Sequence, residues 1–419
     1  MHFSHSLIDS LLQVVESAPS DPVLIFAMNK LSQMRIIQKA SPYFITRVTN
    51  TISNQSKLNQ NQLNQDFIFN RINPLLLLKT LPICVWSDDN QDPQVLDHLC
   101  NLLFDRMTGE FEFDDVRKLS AELCARLPFY QVFDRVIKEL SVSAYCVPFH
   151  FAINCNIQEA VTKSNFLIIK VFLFCICNLV LIRGENIIAN QLYSRYVPLL
   201  FQLLQVPYSH KELEKVQMGC IDCMALTIKS GFQYQFSQQK DEQQQQEQPI
   251  IISNLIQQII TNINSGTDSF RICMINTCTS ACKYLALKEL LILVRYVIQP
   301  LYKIVMMMAN ISYPVQCASL QSLMHMSVKI GTAIHPYSND LLHATLHALK
   351  SPSDMVRLSG LKLLSALLVA RDDMIVEYAS LFMQVQKQLH SISLMDTHAQ
   401  VRQLAHQLVK LIVPSEGGQ

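Results

Sequence analysis

Glycine is scarce in this chain, with nine residues in 419. Strand-and-turn folds and phosphate-cradling loops both rely on glycine's freedom to take positive φ, so this small supply counts against either. An excess charge of one sign is missing too. With 34 basic and 33 acidic residues and a net charge of +1, the chain as a whole lacks the electrostatic footprint of a nucleic-acid or anionic-lipid binder. Trp86 is the one tryptophan, which counts against a binding groove rich in Asn and Trp. The opening Met1-His-Phe-Ser-His-Ser6 has no basic region followed by an apolar run, so no secretory signal is expected. No Gly-rich phosphate loop, nucleophile elbow or paired-carboxylate motif occurs, and the expectation is a non-enzyme with no cofactor.

What the chain has is apolar residues, 50% of the total, enough for a large core or several, in a globule or an extended stack. Thirteen cysteines lie scattered through apolar segments, among them Cys175, Cys177, Cys220, Cys273, Cys278 and Cys282. An odd number without framework spacing reads as reduced thiols used as small core residues, hence a cytoplasmic or nuclear compartment.

The strongest pattern lies at the C-terminal end, between Asn264 and Val413. Four segments begin at Phe270-Arg271, Val315-Gln316, Val356-Arg357 and Val401-Arg402, at intervals of 45, 41 and 45 residues, within the roughly 40–47 residue period of two-helix repeats. Four positions after each anchor stand Met274, Ser319, Gly360 and Ala405, mostly small; eight after stand Cys278, Leu323, Leu364 and Val409; eleven after stand Ala281, Met326, Leu367 and Ile412. Those offsets share one helix face. Breakers precede each anchor: Asn264-Ser265-Gly266, Asn310 to Pro314, Ser351-Pro352-Ser353-Asp354 and Asp396-Thr397. Upstream of these run further amphipathic helices, clearest at 340–350 and 378–391, so the unit is helix, short turn, helix.

Ser351-Pro-Ser-Asp-Met-Val356-Arg357 with Gly360, and Asp396-Thr-His-Ala-Gln-Val401-Arg402 with Ala405, resemble the turn and second helix of HEAT repeats. The resemblance implies a HEAT/armadillo-type fold: all-α, a solenoid of stacked antiparallel helix pairs. It also implies a ladder in which a turn Asp and an Arg six residues on link successive repeats. The unit at Asp396 and Arg402 keeps both members; Ser351, Asn310 and Ser265 stand for the Asp elsewhere, and Gln316 for one Arg.

Taken in order, residues 1–52 read as N-terminal helices, with Ser20-Asp21-Pro22 opening the second. Residues 53–65 read as an Asn/Gln-rich loop, 66–234 as middle repeats and 235–249 as a Gln-rich loop. Residues 250–414 read as the C-terminal repeats and 415–419 as a disordered tail. In the middle block Val116-Arg117 fits the template, with Ser120, Cys124 and Leu127. Val161 fits weakly, and Val216-Gln217 fits with Cys220, Met224 and Thr227.

Several constellations suggest chemistry, and each has a plainer reading. The apolar run 166–182 is 17 residues long with Lys170 and Asn178 inside it. A buried solenoid helix is the preferred reading and membrane insertion the alternative. Cys220-Ile-Asp-Cys223 is half of a zinc site without its second half, and Cys220 fills a small core slot. His343 and His347 have chelating spacing but no third ligand. Met306-Met307-Met308 reads as adaptable core. Glu110, Glu112, Asp114 and Asp115 read as capping the helix that starts near Val116. Arg271, Arg357 and Arg402 are expected to bond neighbouring turns, the alternative being a basic track for a partner.

The function expected is a protein-interaction scaffold or adaptor nucleating a multiprotein assembly, of the cochaperone, trafficking or chromosome-associated kind. Its partner-binding surface would be formed by the second helices near Lys362, Gln403 and Lys410. The alternatives are a transport-receptor-like cargo binder and a membrane-associated protein anchored through 166–182. The expected partners are proteins of unknown identity, not nucleic acid, with a membrane the less favoured surface.

Overall fold

The structure is a computed structural model. It describes residues 6, 8–10, 13, 41–56, 65–79, 81–86, 91–109, 112–152, 158–206, 211–238, 252–307, 311–370 and 374–412. The helix read at Ser20, most of both amide-rich loops and the tail 415–419 lie outside the described residues. Among the described residues every regular element is helical. Two compact units are formed: Met1–Ile187 with Gln191–Leu199 and His210–Gly219, and Ile188–Asn190 with Leu200–Ser209 and Cys220–Gln419.

The N-terminal unit opens with α1 (Ser41–Ser56), α2 (Gln65–Lys79), α3 (Pro93–Thr108) and α4 (Asp114–Cys124). Here α1 packs on α2 and α3, while α4 packs on α2 and α3. Two helix pairs therefore lie side by side, first helix against first and second against second. Two long helices follow, α5 (Phe129–Ala152) and α6 (Gln158–Ala189), then α7 (Tyr193–Gln205) and α8 (Lys211–Gln238), whose first part belongs to this unit. Non-helical geometry at Arg183 (φ −123°, ψ 21°) kinks α6.

The C-terminal unit repeats the scheme more regularly. Its pairs are α9 (Ser253–Ser265) with α10 (Asp268–Tyr284), α11 (Leu287–Met306) with α12 (Tyr313–Ile330), and α13 (Ser338–Leu349) with α14 (Asp354–Ala370). After the short α15 (Met374–Glu377) comes α16 (Ala379–Met395) with α17 (Ala399–Ile412). Each first helix packs on its own second helix and on the next first helix. The second helices form a second layer in the order α10, α12, α14, α17, with the broadest packing between α12 and α14. Between the layers Val315, Leu323, Met326, Leu341, Leu342, Val356, Leu364 and Leu367 are fully enclosed. Such residues each contribute roughly 1.5–3 kcal/mol of transfer free energy. All-α, stacked antiparallel pairs of this kind are the α-solenoid arrangement of HEAT-type repeats.

Both amide-rich segments are shorter than the sequence suggested. Ser53–Ser56 continue α1 and Gln235–Gln238 continue α8. In each case the helix runs one turn past its last well-buried residue, Ile52 in α1 and Gln235 in α8. The carbonyl of residue i needs the N–H of residue i+4 to remain helical, and glutamine is a fair helix former, so the extra turn costs little.

Candidate protein-interaction face

The second helices enter the stack in one register. Helices α10, α12, α14 and α17 each begin two residues before Phe270, Val315, Val356 and Val401, and α4 begins two before Val116. All five anchors are buried, as is Val216 within α8. Of the residues four, eight and eleven beyond the C-terminal anchors, only Val409 is half-exposed. At one slot four beyond an anchor the layers come very close: a Cβ added at Gly360 would stand 2.8 Å from Ala348 Cβ of α13.

Immediately after each anchor a polar side chain turns back onto the end of the preceding helix or its turn. Arg117 Nη1 donates to Met107 O at 2.9 Å, and Arg271 Nε to Ile263 O at 2.8 Å. Gln316 Nε2 donates to Ile311 O at 2.8 Å, and Arg357 Nη1 to Ser351 O at 2.9 Å and Pro352 O at 2.8 Å. Arg402 Nη1 donates to Asp396 O at 2.5 Å and Thr397 O at 3.1 Å. These side chains satisfy carbonyls that a helix end leaves without an intrahelical donor. Neither Thr267 before α10 nor Ser312 before α12 makes a side-chain cap bond.

One rung links successive repeats. Arg357 Nε and Nη2 lie 2.6 and 3.0 Å from the two carboxylate oxygens of Asp396, whose Oδ1 also accepts from the His398 N–H at 2.9 Å. The carboxylate of Asp396 thus serves Arg357 of the preceding repeat, while Arg402 of its own repeat takes its carbonyl. Burial raises the Asp396 carboxyl, but hydrogen bonds from Arg357 and His398 outweigh it and hold the group below its ordinary value.

Opposite the buried stripe each second helix of the C-terminal unit presents a solvent face. Lys362, Gln403 and Lys410 are all exposed there, six, two and nine residues past their anchors. Sequence reasoning passed over their neighbours in the same register. Asn276, Gln321 and Gln407 share the position of Lys362, and Lys283, Val328 and Val369 lie thirteen past their anchors. The signal was present, since these positions follow once the buried offsets are fixed and the helix is turned by half a revolution. The face is apolar in places: Met355 is 55%, Val328 60% and Val369 82% exposed.

Of the methionine run read as core, Met307 is 55% exposed at the C-terminal end of α11, where the helix leaves the stack, and Met308 lies outside the described residues. Among the described residues no group of three or more His, Cys, Asp or Glu could hold a metal. Cys220 and Cys223 are fully buried, and His347 Nδ1 donates to Val305 O at 3.1 Å. Asp114 and Asp115 sit in the first turn of α4 as expected, but Glu112 does not cap that helix. Its Oε2 lies 2.5 Å from Arg71 Nη2 and 3.5 Å from Arg106 Nη1, in a buried cluster. Burial, and after it the like charge of Arg71, lower Arg106 to about 10 against the opposing pull of the Glu112 carboxylate. Glu110 lies outside the described residues.

The run 166–182 falls within α6, whose Phe166–Ala189 portion is long and apolar enough to cross a membrane, with half of it buried. Phe166, Ile169, Phe172, Cys175, Ile176 and Leu179 are enclosed, and Phe172 stacks at 6.1 Å from Phe104. Lys170 Nζ reaches Glu212 Oε2 at 2.6 Å, and Lys215 Nζ reaches its Oε1 at 2.8 Å. Hydrogen bonds from these two lysines hold Glu212 at about 2.

Of the eleven cysteines whose side chains are described, nine are buried. Burial pushes the Cys273 thiol to about 11 and Cys282 to about 12, and raises Cys124, Cys175 and Cys278 as well. The thiolate is the reactive form. Brief iodoacetamide treatment of the native protein at pH 7.5, read by peptide mass spectrometry, is therefore expected to leave those five unmodified and to label the exposed Cys84 first. All thirteen should react in guanidinium.

No family model matches the chain, and none of the curated proteins matches it. Solved structures similar to it include Kap121p bound to Pho4p, at 12% identity and a TM-score of 0.47, covering 96% of this chain and 37% of that one. Importin beta in an ammonium sulfate condition is similar at 12% identity and a TM-score of 0.41, covering 96% and 47%. An engineered protein is similar at 12% identity and a TM-score of 0.38, covering 98% and 99%. This chain thus spans less than half the length of the Kap121p and importin beta chains. The stacked pairs and their common register define the fold as an all-α solenoid of HEAT/armadillo type.

Proposed function

We propose that the protein is a non-catalytic interaction scaffold or adaptor, holding one or more proteins against the second-helix layer of its C-terminal unit. The observation that carries this reading is the outward face of α10, α12, α14 and α17. These helices spend their buried stripe on the stack, and on the other side they offer exposed apolar and polar side chains at repeated positions. A layer built from nearest-neighbour contacts presents many shallow positions at fixed spacing, a geometry suited to another polypeptide. Lys362, Gln403 and Lys410 belong to this surface, and the enclosed thiols suit a cytoplasmic or nuclear setting.

Affinity purification of the full chain with mass spectrometry tests this reading. A stoichiometric protein partner is expected, and it should be lost when Lys362, Gln403 and Lys410 are substituted together. Recovery of no stable partner from either cytosolic or nuclear extract contradicts it. The length and apolarity of α6 favour a second reading, membrane attachment through 166–182. Against that reading stand the enclosed side chains and the pairing of Lys170 with Glu212, and carbonate extraction separates the two. Release into the soluble fraction is expected; retention in the pellet would favour the membrane.

A further inference from the structure

The four second helices of the C-terminal unit carry the bases Arg271, Lys283, Lys329, Arg357, Lys362, Arg402 and Lys410 against the acids Asp268 and Asp354, in a chain whose net charge is +1. The arginines are used internally, on main-chain carbonyls and on Asp396. The two acids stand at the first residues of α10 and α14, with Asp268 3.9 Å from Arg271 and Asp354 3.8 Å from His398. Lys283, Lys362 and Lys410 on the outward face, and Lys329 at the C-terminal end of α12, are exposed and make no ion pair among the described residues. The surface charge of this layer is therefore unbalanced, although the chain as a whole is neutral.

We propose that this face binds an extended acidic peptide segment of a partner protein, an inference that rests on the interaction reading above and names the partner's chemistry. Complementary charge selects such a segment, because the ammonium groups of Lys283, Lys362 and Lys410 meet no carboxylate of the described residues on the face. The apolar side chains Met355, Val328 and Val369 would take its apolar residues. The carboxamides of Asn276, Gln321 and Gln407, one position on three of the helices, match the donors and acceptors of an extended backbone.

Spacing sets the length and the pattern. Neighbouring packed helices lie about 8–10 Å apart, and an extended or polyproline-type chain advances about 3.1–3.4 Å per residue. Each helix thus spans about three peptide residues. Lys283, Lys329 and Lys410 stand in the last turns of α10, α12 and α17, and Lys362 in the middle of α14, so the track crosses the C-terminal halves of the four helices. It fits about ten residues with an acid at every third position. Nucleic acid fits less well: the arginines are already engaged, and aliphatic side chains break the basic track.

The test uses the full-length protein and a fluorescein-labelled twelve-residue peptide, Glu-Leu-Ser repeated four times, read by fluorescence anisotropy. Saturable binding is expected, weakening as salt rises from 50 to 300 mM. The Lys362→Glu/Lys410→Glu variant should bind at least tenfold more weakly, while Lys288→Glu on the other layer should bind within twofold of the unsubstituted protein. The same peptide with Gln for Glu should bind at least tenfold more weakly. Failure of the acidic peptide to saturate, an effect of the double reversal below twofold, or equal binding of a twelve-nucleotide single-stranded DNA overturns the proposal. Affinity purification with the double variant separates the two levels. A partner retained by that variant leaves the interaction reading standing while the acidic-segment proposal falls; no partner with the unsubstituted chain removes the reading itself.

Discussion

Arg357→Ala is expected to destabilise the C-terminal unit by about 3–5 kcal/mol, the cost of leaving one member of an enclosed ion pair uncompensated. Asp396 is 3% exposed at its side chain and Arg357 13%, and the contact is bidentate. The same guanidinium holds the carbonyls of Ser351 and Pro352, so its removal unties both its own turn and the next. Asp396→Asn should cost less, because its amide oxygen can still accept from the His398 N–H. In a urea double-mutant cycle the coupling between the two positions should reach about 1.5–3 kcal/mol, as for residues sharing one network. Coupling below about 0.5 kcal/mol would mean that the rung stabilises nothing. Acid should act through the same group. The Asp396 carboxyl is held below its unfolded value near 3.9. Its contribution is therefore complete above about pH 4 and is lost as the pH falls through the folded pKa. Asp396→Asn should flatten the stability profile in that window and leave it unchanged between pH 6 and 8.

Gly360→Leu should be comparably damaging, at about 3 kcal/mol or more. At Gly360 even a single added carbon would meet Ala348 Cβ at 2.8 Å, and a leucine has no lateral escape because Leu361, Leu363 and Leu364 beside it are fully buried. Overpacking of this kind typically costs about 1–3 kcal/mol, and more where backbones must separate. Gly360→Ala is the informative control. A helix-interior alanine gains up to about 1 kcal/mol in propensity, so its net effect is a small difference between that gain and a tight contact. Thermal unfolding of both variants measures the contrast. If leucine were tolerated within about 1 kcal/mol, the close approach of α13 and α14 would be wrong.

Much of the fold could be read from the letters because the repeat fixes register. Once Phe270, Val315, Val356 and Val401 are aligned, the small and apolar residues at later offsets mark the buried stripe, and helix boundaries follow from the breakers. What could not be read depends on three-dimensional neighbours. The ladder implied by the resemblance links successive repeats, and Asp396 does take Arg357 of the preceding repeat; its bidentate geometry and burial come from α14 and α17 being adjacent, which the letters do not show. Glu112 sits where a capping acid would, and only the approach of α2 and α3 makes it the partner of Arg71 and Arg106. The basic character of the outward face was concealed by composition: the balance of 34 against 33 averages over the chain, whereas four helices hold seven bases and two acids.

Stacking order is tested most directly by pairwise distances between spin labels at equivalent positions of the second helices, measured by double electron–electron resonance on single-cysteine pairs. With labels at Asn276, Gln321 and Gln407, separation should grow by about 8–10 Å for each helix crossed. The Gln321–Gln407 pair should thus lie near 20 Å and the Asn276–Gln407 pair near 30 Å. An Asn276–Gln407 distance equal to or shorter than Gln321–Gln407 would contradict the ordered layer of second helices and remove the surface on which the functional reading depends.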